Sequence, residues 1–252
     1  MKASTEELLY YLLWSADQLM TPTWSNLNES FESWAWRNRL GRRIAELERL
    51  ELIEARPRQN GERLVRLTEA GRRRALGGRD PLAQWSRPWD GRWRFLLFDL
   101  PREKKHLRMD LWRSLRAHHF GYLQGSVWVT PDPTAKLREL LAAAPVDPES
   151  SLLLEGRPAA GESDREIVDG AWDFEKINRL YRQYLDFIRR RPPAGSGLVK
   201  WLRRENHLWL SAHRADPLLP EQLLPSGYLG RRAWAERARL LGKTSVVSSD
   251  GQ

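Results

Sequence analysis

Cysteine is absent from the 252 residues, which excludes disulfide bridges and thiolate-held zinc and fits a reducing compartment. Histidine is scarce: five, at positions 106, 118, 119, 207 and 213, form no metal-binding cluster. His118 and His119 are adjacent, so a helix turns them to different sides. Apolar runs long enough to span a bilayer are missing, and the opening MKASTEELLYYLLWSADQLM lacks the basic-then-apolar order and the cleavage site of a signal peptide. A soluble, cytoplasmic protein without cofactor or membrane partner is the expectation. What is abundant is positive charge. A net +9 and a pI near 10.1 favour a polyanionic partner. The 41% apolar content can bury a core, and the length exceeds the usual size of one domain, so two or three modules are expected.

Lysine is missing from residues 33–79, where thirteen arginines stand against six glutamates and leave +7. The stretch SWAWRNRLGRRIAELERLELIE from Ser33 places Trp36, Leu40, Ile44, Leu47 and Leu50 on one helical stripe. Asn38, Arg42 and Arg49 fall on the opposite side, with Arg39 beside them. The following LIEARPRQNGERLVRLT alternates on both sides of Asn60-Gly61, a dipeptide suited to a tight hairpin turn. Helices followed by a basic ribbon are the order of a winged helix-turn-helix, in which one helix enters the major groove and the ribbon touches phosphate or minor groove. Residues 1–80 are therefore expected to bind double-stranded DNA through Arg37, Asn38, Arg39, Arg42, Arg58, Asn60 and Arg63.

The segment from Gly77-Gly78 to Pro88 reads as a linker. Beyond it the pattern predicts a strand over 93–100, a helix over 103–119, short strands over 120–123 and 126–130, a helix over 134–144 and a strand over 152–154. That order is a split, ferredoxin-like arrangement spanning residues 81–160. Residues 161–242 read as helical, with helices over 171–191, 197–214 and 230–241, and 243–252 as a disordered tail. The expected class is α+β: a winged helix-turn-helix, a central ferredoxin-like domain and a helical C-terminal domain. The aromatic cluster Phe187, Tyr181, Tyr184, Trp201 and Trp209 belongs to a core rather than a stacking platform.

PWDGRWRFLLFDLP, FGYLQGSVWVTP, AWDFEKINRLYRQYLDFI and DPLLPEQLLPSGYLGRRAW, in that order over roughly residues 88–241, resemble the PaaX family of bacterial repressors. The resemblance implies a dimeric transcriptional repressor released from its operator by an acyl-CoA thioester. Arg203, Arg204, His207, His213 and Arg214 are residues able to hold the phosphates of a coenzyme A, and of these Arg203, His207 and Arg214 are the candidate effector-binding residues. Gly41 and Glu46 stand where the family pattern leads to arginine, and Leu210 occupies another such position. An effector-independent DNA-binding protein is therefore an alternative. The middle segment also resembles the CRISPR adaptation protein Cas-two, whose strand-ending aspartate Asp99 matches. Asp99 is the sole metal-site candidate. A nuclease would need a second carboxylate beside it, so the turn before Pro101 is its more economical role, and no enzyme activity is expected.

Overall fold

The computed structural model describes residues 41–57, 63–75, 77–98, 105–133, 135, 151–190 and 197–242. The chain divides into two compact units. One comprises Met1–Asp80, Tyr181–His213 and Gly230–Gln252; the other comprises Pro81–Leu180 and Arg214–Leu229.

In the first unit, helix α1 (Gly41–Arg49) buries Ile44 and Leu47, three residues apart on one face. Leu50, expected to extend that stripe, is instead 39% exposed. The reason is local: the amide of Leu52 bonds the Leu47 carbonyl and that of Glu51 the Glu48 carbonyl, while Glu51 takes φ 55°. This left-handed cap ends the helix one residue before Leu50 could face inward. Strands β1 (Ile53–Pro57) and β2 (Arg63–Leu67) pair antiparallel from Ile53↔Leu67 to Pro57↔Arg63. Thr68 closes the ribbon base. Its amide bonds the Leu52 carbonyl, and its hydroxyl donates to the Glu51 carbonyl at 2.8 Å and accepts from the Gly71 amide at 2.9 Å, capping helix α2 (Glu69–Ala75).

The second unit begins where a linker was expected. Residues Pro81–Trp85 form a short helix, α3, and Trp85 is buried edge-on to Tyr228 at 6.0 Å. Proline at the first helical position is pre-shaped for this start. Strands β3 (Trp93–Phe98), β4 (Gly121–Gln124), β5 (Val127–Thr130) and β6 (Ser151–Gly156) form an antiparallel sheet in the order β4-β5-β3-β6. The first and third strands lie at its centre, as a split arrangement requires; the helix expected over 134–144 lies outside the described residues, apart from position 135. Helix α4 (Lys105–Ala117) covers one face, with Leu111 and Leu115 packed against Leu96, Phe98 and Trp128. Its exit repeats the cap of α1: His119 takes φ 63°, and Phe120 bonds back to Leu115.

The helix expected over 171–191 is present over 174–188, and a further helix that was not expected precedes it. Helix α5 (Asp164–Ala171) opens with a capping box between Ser163 and Glu166, and Trp172-Asp173 separates it from α6 (Phe174–Ile188). Helices α7 (Gly197–Ala215) and α8 (Gly230–Gly242) follow the predicted spans closely, joined through a single 3₁₀ turn at Glu221–Leu223.

Candidate nucleic-acid and ligand surfaces

Arg42 stands exposed on α1, opposite Ile44 and Leu47, and Arg49 is exposed at its end. Arg63 opens β2 across from Pro57. Arg37, Asn38, Arg39, Arg58 and Asn60 lie outside the described residues. The described part of the N-terminal module is thus an apolar-backed helix, a two-stranded ribbon and a second helix bearing exposed Arg73 and Arg74.

Helix α7 has two contrasting faces. Lys200, Arg203, Arg204, His207 and Arg214 are all exposed. At 100° per residue they fall within one sector, and Arg203 and Arg214 are separated by about 16 Å of helix rise. The three effector candidates therefore share a face, and Lys200 and Arg204 join them. Lys200 escaped the sequence reading although the spacing 200, 203, 204, 207 already carried the signal, whereas His213, counted there among the possible phosphate ligands, is buried on the inner side of the helix. The helix's one carboxylate, Glu205, is turned to the opposite side and wholly buried. Such a face attracts phosphate or another extended anion. Leu210 is half-buried on the edge of the sector.

Glu205, Trp209 and His213 form the inner face at four-residue intervals. The Arg237 Nε donates to Glu205 Oε1 at 3.0 Å, the Tyr184 hydroxyl donates to the same oxygen at 2.8 Å, and the Arg237 guanidinium lies 4.5 Å from the Trp209 ring centre. His213 stacks on Trp209 with centroids 5.3 Å apart. Tyr181, Tyr184, Trp201 and Trp209 are buried, so the aromatic cluster is core, as its spacing predicted.

Residues of three of the motifs that carry the family resemblance take part in hydrogen-bond networks within the second unit. Arg94 is buried on β3 and bonds Asp90 through both carboxylate oxygens, Glu155 at 3.2 Å, and the carbonyls of Arg92 and Pro131. The hydrogen bond from Arg94 holds the Asp90 carboxyl below its ordinary value, and Asp90 in turn raises the Arg94 guanidinium. Trp93 donates its indole N–H to Asp164 at 2.7 Å. The buried Asp216 accepts from the Leu218 amide at 2.8 Å and from the Tyr228 hydroxyl. Arg87 binds Asp132 at 2.9 Å and the Leu218 carbonyl. These side chains bind one another and hold loops in place.

Asp99 lies outside the described residues. Among the described residues no three His, Cys, Asp or Glu side chains gather as a metal-binding group, and no helix is long and apolar enough to cross a membrane.

Residues 86–168 match the family model of the PaaX protein central Cas2-like domain. This third of the chain is similar to the PaaX central domain, as the motifs led us to expect, and that likeness suggests a transcriptional regulator. No curated protein matches the chain. Among solved structures, an uncharacterized protein, Rv0674 from Mycobacterium tuberculosis, shares the fold with a TM-score of 0.51 at 19% identity, over 84% of each chain.

Proposed function

We propose that this protein is a dimeric transcriptional repressor that binds operator DNA through an N-terminal winged helix-turn-helix and is released by an acyl-CoA-type effector. The observation that carries the reading is the match of residues 86–168 to the PaaX central domain, which in sequence follows an arginine-rich stretch and precedes the basic helix α7. A helix with Arg42 on its outer face, followed by a basic ribbon, supports groove entry with flanking phosphate contact. Two such heads about 34 Å apart would reach successive major grooves on one side of the duplex, which is the reason for a dimer.

The cationic face of α7 supports an effector with phosphates, held by Arg203, His207 and Arg214 together with Lys200 and Arg204. An effector releases DNA only if it binds the DNA-incompetent state more tightly than the competent one, and operator must then weaken effector binding by the same factor. Calorimetric titration of acyl-CoA thioesters with and without operator tests this. Reduced thioester affinity on DNA is the expected result; equal affinity would remove the switch, and no binding by any thioester would leave an effector-independent DNA-binding protein, the reading that Leu210 favours.

The Cas2-like kinship supports one rival reading, a metal-dependent nuclease using Asp99. Cleavage of DNA or RNA in magnesium or manganese that is abolished by Asp99→Asn, with stability retained, would establish it in place of the repressor.

A further inference from the structure

The N-terminal module ends on an unusual contact. Gly77 and Gly78 close α2 through amides bonded to the Arg74 and Arg73 carbonyls at 3.1 and 2.9 Å, with Gly77 at φ 116°. A Cβ at Gly77 would lie 2.6 Å from the His213 Cδ2 and 3.0 Å from its Nε2. The backbone thus rests directly on a buried imidazole, and two residues on the Arg79 guanidinium donates to the His213 carbonyl. His213 belongs to the inner ladder of α7, stacked on Trp209, which is faced by Arg237 and thereby joined to Glu205. The outer side of the same helix is the cationic face.

From this continuity we infer that Gly77, Arg79 and His213 form a clamp that fixes the arginine-rich module to α7, and that its opening is the movement by which a ligand on α7 alters DNA binding. The clamp rests on the contacts alone; its regulatory use rests on the DNA-binding reading. Glycine is required twice at position 77, for its positive φ and for the approach to the ring. His213 and the cationic side chains lie on one continuous helix, so a displacement of α7 would reach the clamp without passing through a loop.

The test uses full-length protein. Gly77→Ala forces the linker off His213. Hydrogen exchange of the 77–80 backbone should accelerate at least tenfold while exchange in β3 stays unchanged. Affinity for a duplex recovered by the wild type from random sequence, carrying two half-sites, should fall about tenfold, and affinity for the same duplex cut to one half-site should not change. His213→Ala in the same chain makes room for the added methyl, so the two substitutions together should cost less than their sum. Should Gly77→Ala fail to fold, Arg79→Ala, which adds no atoms, gives the same pattern at smaller amplitude. Unchanged exchange at 77–80 would overturn the clamp. Accelerated exchange with undiminished two-site affinity would overturn its regulatory role. A wild type that binds neither duplex would overturn that role together with the repressor reading, while the exchange result would still decide the clamp.

Discussion

Arg237 and Glu205, 32 residues apart, form an ion pair in which both side chains are fully withdrawn from water. Removing one partner from such a pair leaves a buried charge uncompensated and costs about 3–5 kcal/mol, whereas replacing both with apolar residues of similar volume is often neutral. Glu205→Ala should therefore lower the unfolding free energy by that order, and Glu205→Leu with Arg237→Met should recover most of it. Chemical denaturation of the three proteins checks this. Equal losses in the single and double variants would contradict the pairing.

A second expectation concerns acid. Arg94 stabilises the ionised form of Asp90, so the folded carboxyl titrates below the unfolded one, whose ordinary value is about 3.9. Its contribution is full above that value and is lost as pH falls through the lower, folded value. Asp90→Asn should thus destabilise the protein at neutral pH and make the difference from wild type shrink below about pH 4. A difference that stays constant down to pH 2 would mean that Asp90 does not titrate against Arg94.

Close packing yields a third. A Cβ on Gly121 would lie 2.5 Å from the Ala171 Cβ and 2.7 Å from the Trp172 ring, so β4 approaches the end of α5 as only glycine permits. Gly121→Ala should cost about 1–3 kcal/mol through overpacking. Thermal unfolding reads the loss, and Gly121→Ala with Trp172→Phe, which trims the ring, should lessen it. Wild-type stability of Gly121→Ala would show that this contact is loose.

Much of the middle of the chain was legible in its sequence because alternation and helical spacing are local properties. Trp93–Phe98 reads as a strand from its apolar run, and Leu107, Leu111 and Leu115 mark the inner face of α4. Two helices were readable but obscured. Asp80-Pro81 sits inside a glycine-rich stretch that pointed to a linker, and the capping box from Ser163 to Glu166 was overlooked beside the stronger periodicity of α6. The face of α7 was largely legible: Arg203, Arg204, His207 and Arg214 stand out as cations, while Lys200, and the burial of His213 on the other side, needed the helix to be laid out in full. Contacts such as Arg237 with Glu205, or Gly77 with His213, leave no local trace. Their partners are brought together only by the fold.

The wing gives a fourth expectation. Arg58→Ala with Arg63→Ala should weaken binding to all duplex sequences alike, since phosphate contact carries no base information, whereas Arg42→Ala should relax sequence preference if it reaches a base edge. Competition binding with specific and random duplexes separates the two. A sequence-selective loss in the wing variant would reverse the assigned roles.

The most direct test of the repressor reading is the salt dependence of duplex binding by the full chain. Each phosphate contact contributes about −0.9 to the slope of log K against log salt concentration. The reading predicts a steep negative slope for the wild type and a shallower one, with affinity lowered by about 1–3 kcal/mol, for the Arg39→Ala, Arg42→Ala double variant. A slope near zero, or wild-type binding by that variant, would contradict it.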